Sequence, residues 1–222
     1  MLLKIEEIPW DELSRIGITR ERLEKTNNLE KLLNFEKTTL LSLWGNVNGY
    51  ELKGDGKLAL TKSSDGKIHI KMQFVKKYPE LNLPIYGTYL NTHQKKNILE
   101  TGHAGSPITI QKQDGTTIKM LVSLDKQTKQ LECIALDKVR IRETVAGITL
   151  SVTEKDTLKN GGVVFIKDMT KKDGTLFSSL VIYDADRHDI TFIKPKQEQQ
   201  AEKQEQEQKQ EQKKKKNVKQ SV

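Results

Sequence analysis

Three Asp-Gly dipeptides, Asp65-Gly66, Asp114-Gly115 and Asp173-Gly174, punctuate this 222-residue chain, each between short runs of alternating apolar residues. Alternation is the period of a half-buried strand, because successive side chains of a strand point to opposite faces. Leu58-Ala59-Leu60 leads to the first dipeptide, and Ile68, Ile70, Met72 and Phe74 follow it. Ile108 and Ile110 lead to the second, and Ile118, Met120 and Val122 follow. Val163-Val164-Phe165-Ile166 leads to the third, and Leu176, Leu180 and Ile182 follow. Asp-Gly in that setting predicts a β-hairpin whose two turn residues both take positive φ.

Two of these hairpins belong to a longer internal repeat. One copy opens with Gly87-Thr88-Tyr89-Leu90-Asn91-Thr92 and runs through Ile98 to Gly102. The other opens with Gly147-Ile148-Thr149-Leu150-Ser151-Val152-Thr153 and runs through Leu158 to Gly161-Gly162. Each reads as a Gly, a short apolar strand, a Ser/Thr/Asn-rich cap, a short helix and a closing Gly, with the hairpin next. Thr92 and Thr153 are expected to cap the helices, and Gly102 and Gly161 to close them in the left-handed conformation.

The N-terminal segment has a helical period instead. Pro9 suits a first helical position, Trp10, Leu13 and Ile16 share one helix face, and Gly17 is a natural stop. Thr19 is the expected N-cap of a second helix carrying Leu23. Asn27-Asn28 ends that helix and can cap a third with Leu29, Leu32 and Leu33. Arg20, Arg22 and Lys25 are balanced by Glu21 and Glu24, so no helix offers a basic recognition face. The head reads as a packing or protein-docking element.

The formal net charge is +8. Residues 194–222 hold nine Lys and five Glu, so half of the excess lies on a tail that carries Lys213-Lys214-Lys215-Lys216 near its end. That tail has almost no apolar residues and is expected to be disordered, as a basic arm for phosphates or a solubilising extension. The expected fold class is α+β: a small three-helix head (1–37), a first β-hairpin segment (38–82), repeat unit 1 (83–137), repeat unit 2 (138–193) and the disordered tail (194–222). Mostly antiparallel sheets are expected. The N-terminus lacks a basic n-region and a long apolar stretch, no apolar run approaches about 18 residues, and the chain has one Cys. A cytoplasmic protein without membrane contact is expected.

Catalytic signatures are sparse. Gly54-Asp55-Gly56-Lys57 lacks the later Gly and the long helix of a dinucleotide loop. Cys133 lies in a strand-like run and reads as a small buried hydrophobe. His103 follows a helix stop and reads as a loop histidine. Asp184, Asp186, His188 and Asp189 could hold a divalent ion, but with Arg187 among them a polar hairpin loop accounts for them. No enzyme activity, metal or cofactor is expected.

Cations carry the remaining signal. Lys57, Lys67, Lys71, Lys76 and Lys77 surround the first hairpin, with Tyr78, Tyr86 and Tyr89 soon after. His69 and Lys71 fall on one strand face. Basic strands beside aromatics can hold a nucleic-acid strand, whereas a solvated face and core tyrosines would account for the same residues without a ligand. Lys138, Arg140 and Arg142 alternate with Val139 and Ile141, which on a strand would place all three cations on one face. The candidate nucleic-acid-binding residues are therefore Lys67, Lys71, Lys76, Lys77, Lys138, Arg140, Arg142 and Lys213 to Lys216.

Pro9-Trp10-x-x-Leu13, Gly17-Ile18-Thr19, Leu29-Glu30-x-Leu32-Leu33 and Lys37-Thr38, followed by repeats of Leu-x-Thr/Ser…Leu…Gly, stand in a distinctive order. In that order the chain resembles, over about residues 8 to 193, the domain-of-unknown-function proteins of Bacteroidetes conjugative and mobile elements. The resemblance implies DNA-processing company, including topoisomerase- or relaxase-like proteins, and carries over no site residues. The expected function is a non-enzymatic accessory module that contacts DNA non-specifically. A protein-interaction scaffold without nucleic-acid contact is the alternative.

Overall fold

The computed structural model describes residues 3–193 apart from Asn48; the tail, with Lys213 to Lys216, lies outside the described residues. One unit comprises the chain up to Glu80 together with Leu124–Leu131, and the other Leu81–Ser123 together with the chain from Glu132 onward.

In unit 1, a 3-10 turn at Ile5–Glu7 precedes helices α1 (Trp10–Ser14), α2 (Arg20–Lys25) and α3 (Leu29–Leu33). Helices this short do not persist alone in water. Each is held by a leucine: Leu13, Leu23 and Leu32, fully buried, pack with Leu41 and Leu43 of β1 (Leu41–Val47) and Leu58 and Leu60 of β2 (Tyr50–Lys62). The helices and the first hairpin thus share one core. Thr19 caps α2, its Oγ1 accepting from Arg22 N at 3.2 Å. Asn28 makes no side-chain cap to α3. It is buried instead, and its Oδ1 accepts from Thr39 N at 2.8 Å.

Strands β1, β2 and β3 (Ile68–Phe74) form an antiparallel sheet in that order. β2 runs through Gly54-Asp55-Gly56-Lys57 as continuous strand. A Cβ at Gly56 would meet Gln73 O at 2.9 Å and Leu43 Cδ1 at 3.2 Å, so glycine serves close packing there and forms no loop.

Unit 2 holds two stretches. The first has an Ile85–Thr88 bridge, α4 (Thr92–Thr101), β4 (Ile108–Gln111), β5 (Thr117–Leu124) and β6 (Leu131–Ala135), with the loop ends of β5 and β6 falling to unit 1. The second has β7 (Thr144–Val145), β8 (Ile148–Thr149), α5 (Val152–Lys159), β9 (Val164–Thr170), β10 (Leu176–Asp184) and β11 (Asp189–Ile193). β5 and β10 are the middle strands of their sheets. One core gathers Val145, Leu150, Leu158, Ile166, Met169 and Val181, and another joins Leu121 and Ile134 to Tyr183 and Ala185.

The caps sit earlier than expected. Asn91, not Thr92, caps α4: its side chain accepts from Gln94 N at 2.8 Å, and its own N–H donates to Gln94 Oε1 at 3.1 Å. Ser151, not Thr153, caps α5 through the same reciprocal box with Glu154. Asn and Ser outrank Thr as caps, and only they stand three residues before a Gln or Glu. Gly102 closes α4 at φ +89°, whereas Asn160 is the C-cap of α5, with Gly161 next at φ +76°.

The three Asp-Gly hairpins occur where predicted, with a different turn. Gly66, Gly115 and Gly174 have positive φ, and the aspartates do not. Lys112 N donates to Thr116 O at 2.8 Å and Gly115 N to Lys112 O at 3.1 Å, the pattern of a three-residue loop closed by a left-handed glycine. Asp114 Oδ1 accepts from Thr116 N at 2.9 Å and Thr116 Oγ1 at 2.6 Å. Asp173 repeats this with Thr175, and Asp65 bonds Ser63 Oγ and Lys67 N. These bonds, the hydroxyl's foremost, hold all three carboxyls below the usual aspartate range. A carboxylate anchored to the residue two positions on accompanies an aspartate without positive φ, which displaces the two-residue turn. Turns with both residues at positive φ occur elsewhere, at Tyr86-Gly87 (φ +46°, +84°) and Ala146-Gly147 (φ +46°, +90°). A Cβ at Gly115 would meet nothing within 4 Å. Gly115→Ala is therefore expected to cost only the left-handed backbone penalty, about 1–2 kcal/mol in urea unfolding.

Candidate nucleic-acid interface

β3 is an edge strand of its sheet. His69 pairs with Thr61 and Lys71 with Ala59, on the face opposite Ile70 and Met72, which pair with Leu60 and Leu58. His69 and Lys71 are both exposed. Lys67, at the hairpin end, has its Nζ 3.8 Å from Asp65 Oδ2. Beyond the strand, Lys76 ion-pairs with Glu80, and Lys77 Nζ stands 5.3 Å from the ring centroid of exposed Tyr78. Residues 67–77 hold four Lys, one His and no acidic residue. Exposed pairs such as Lys67–Asp65 contribute little and leave the cations available to other anions.

Lys57 does not join this surface. On the same outer face, Lys57, Ala59 and Gln73 are buried. The Leu124–Leu131 segment lies against that part of the sheet, with Lys76 N donating to Thr128 O and Gln130 Nε2 to Phe74 O, both at 2.8 Å. Lys57 Nζ donates to Asp125 Oδ2 at 2.7 Å, and Lys37 Nζ is 3.8 Å from the same oxygen. Asp125 Oδ1 accepts from Gln127 N at 2.9 Å and Thr128 N at 3.3 Å. Burial raises the Asp125 carboxyl's pKa, but the Lys57 ammonium and the two N–H groups outweigh it, and the carboxyl stays below the ordinary aspartate range.

The second basic stretch is not a strand. Leu136–Lys138 is a 3-10 turn, and no strand covers Val139 to Glu143. Lys138 Nζ is 4.0 Å from Asp137, Arg140 Nη1 donates to Asp137 O at 2.7 Å, and Arg142 ion-pairs with Asp189. Alternation requires a paired neighbour to become a strand, and this segment has only Val139 buried to fix it. The three cations therefore form no common strand face.

His103 lies between α4 and β4, outside both elements. It is buried, bridges to Ser123 and has Nδ1 3.0 Å from Ser123 Oγ, which also accepts from Ala185 N at 2.8 Å. The adjoining cavity, lined by Ser106, Leu121, Gly161 and Tyr183 among others, is ≈ 10 Å³, room for about one water molecule. Burial also pushes the Tyr183 phenol's pKa up. Cys133 is half-buried on β6. Asp184 Oδ1 accepts from Asp186 N at 2.9 Å, and Asp189 is taken by Arg142, so the acidic loop is a self-bonded hairpin end. Among the described residues no three His, Cys, Asp or Glu gather as a metal site, and no helix is long and apolar enough to cross a membrane.

The tyrosines depart from the core alternative: Tyr78, Tyr86 and Tyr89 are all exposed. Tyr78 belongs to unit 1, and Tyr86 and Tyr89 belong to unit 2. Residue type alone does not reveal such exposure.

Residues 3–84 match a family model described as Protein of unknown function (DUF4099), and residues 142–195 match one described as Protein of unknown function (DUF3945). No curated protein and no solved structure matches the chain.

Proposed function

We propose that this chain is a non-enzymatic binding module that holds nucleic-acid phosphates through the β3 edge of unit 1, as an accessory to the DNA-processing machinery of a mobile element. One observation carries the reading. Lys67, Lys71, Lys76 and Lys77 fall within eleven residues free of carboxylates, on and just beyond an edge strand, beside an exposed ring. Phosphate contacts of this kind position a chain on DNA without reading sequence. The mobile-element setting rests on the sequence resemblance. The two stretches of unit 2 are, in this reading, copies of one unit: Gly87 answers to Gly147, Leu90 to Leu150, Asn91 to Ser151 and Ile98 to Leu158.

A second reading, a protein-docking scaffold, is favoured by the β9–β11 sheet, which leaves Phe165, Leu176 and Phe192 about half exposed or more. Lysines on an edge strand also block pairing with other strands, so the test must read nucleic acid directly. Fluorescence anisotropy of labelled DNA between about 50 and 200 mM salt should show a log–log slope near −3 if about four phosphates are neutralised. Lys67→Glu with Lys71→Glu and Lys77→Glu should flatten that slope by about two to three, while Lys213 to Lys216 changed to Gln reports the tail separately. Absence of binding at low salt, with nuclease-resistant co-purification of a relaxase- or topoisomerase-like protein, would establish the scaffold instead.

A further inference from the structure

The hairpin tip at Tyr86-Gly87 has no structural need for its aromatic residue. Ile85 N donates to Thr88 O at 2.8 Å and Thr88 N to Ile85 O at 2.9 Å, which makes Tyr86 and Gly87 the two turn residues. Tyr86 sits at φ +46°, a conformation that bulky residues rarely adopt. The turn at Ala146-Gly147 gives the control within the same unit. Ala146 has the same φ of +46° and packs partly buried against the core, while Tyr86 is 72% exposed. Three residues on, Tyr89 is 65% exposed, where the other stretch has Thr149. The two turns agree in φ, Leu90 and Leu150 are equally buried, and at these turn positions only the first stretch carries rings, where the second has Ala146 and Thr149. An exposed tyrosine held in a strained turn contributes no burial, so its place is accounted for by what the ring meets outside the chain.

Thr88 Oγ1 donates to Thr109 O at 3.1 Å, tying the turn to β4, and Thr109 pairs with exposed Lys119 on β5. Residues 81–123 hold Lys95, Lys96, Lys112 and Lys119 against Glu100 and Asp114. The Asp114 carboxylate is already bonded to Thr116. Exposed rings on a mildly cationic unit suit a ligand with stackable faces and negative charge.

We infer that the Tyr86–Tyr89 hairpin is a stacking platform for unpaired bases, which gives the module a preference for single-stranded over duplex nucleic acid. The inference rests on the nucleic-acid reading above and assigns it a substrate class. Bases in a duplex are stacked between the pairs above and below and offer no free π-face, whereas an unpaired base stacks on an aromatic side chain whatever its sequence.

The test uses the full chain with labelled oligothymidylate and a duplex of equal length. Tyr86→Ala with Tyr89→Thr borrows the residues that the second stretch carries at the same backbone geometry. The wild type should prefer the single strand, and the double variant should weaken oligothymidylate binding about 10–100-fold with duplex binding and salt slope unchanged. Equal affinity for the two probes, or a double variant with unaltered oligothymidylate binding, overturns the platform and leaves the β3-edge reading standing. A wild type that binds neither probe overturns both. Retention of oligothymidylate affinity, with loss of a protein partner in the double variant, would assign the rings to protein docking.

Discussion

Asp125→Ala will destabilise the protein by about 3–5 kcal/mol in denaturant unfolding. The carboxylate is almost wholly buried, with Lys57 at 2.7 Å and Lys37 at 3.8 Å. Its removal leaves the Lys57 ammonium buried without a counter-ion, and an uncompensated interior charge is what makes such losses large. It also deprives Gln127 N and Thr128 N of their acceptor. Asp125→Asn separates the two effects, since it keeps an acceptor oxygen and loses only the charge. Adding Lys57→Met to Asp125→Asn should recover more than half of the loss, because no unpaired ammonium then remains at that position. A double variant no more stable than Asp125→Asn alone would show that the ion pair is not the source. The pH dependence follows the same carboxyl. Its folded pKa lies below its unfolded value. Its contribution is therefore complete above about pH 4 and declines as the pH falls through the folded pKa. Asp125→Asn should accordingly flatten the acid limb of the stability curve below about pH 4 and leave the neutral plateau uniformly lower.

Gly45→Ala should cost about 2–4 kcal/mol. A Cβ there would lie 1.8 Å from Arg15 O and 2.8 Å from its carbonyl carbon, contacts with main chain that no rotamer can relieve. β1 would have to withdraw from the end of α1. That movement breaks the hydrogen bond from Trp44 N to Ile16 O, 3.2 Å, and separates the Arg22 guanidinium from the Trp44 ring, now 4.5 Å from its centroid. Near-ultraviolet circular dichroism of the tryptophans should change along with the unfolding midpoint. A Gly45→Ala protein no less stable than Gly115→Ala would contradict this close approach.

Local signals located the elements that local physics controls. The hairpins at Gly66, Gly115 and Gly174 and the helices bearing Leu13, Leu23, Ile98 and Leu158 follow from period and punctuation. Their details turned on atoms that a pattern does not weigh, such as the Thr116 hydroxyl that fixes Asp114, or the Gln94 amide that makes Asn91 the cap. What a strand pairs with was not legible. Val139 and Ile141 alternate with cations as a strand would, yet the segment has no ladder. Lys57 alternates correctly on β2, but its burial depends on a carboxylate 68 positions later, and nothing in Asp125-Lys126-Gln127-Thr128 marks it as that partner. The candidate surface was legible in charge, at Lys67, Lys71 and Lys77, but not in exposure, which decided the standing of Tyr78, Tyr86 and Tyr89.

That distant carboxylate imposes an order on biosynthesis. Unit 1 draws on Leu124–Leu131, so a nascent chain that has emerged only as far as Glu80 has every helix and strand of that unit and still lacks the counter-ion of Lys57. At roughly 5–20 residues per second the ribosome takes on the order of ten seconds to travel from Lys57 past the 124–131 segment. During that interval the ammonium must stay hydrated and the outer face of β2 and β3 incompletely covered. A chain released at residue 84, where the first family match ends, would remain in that state permanently.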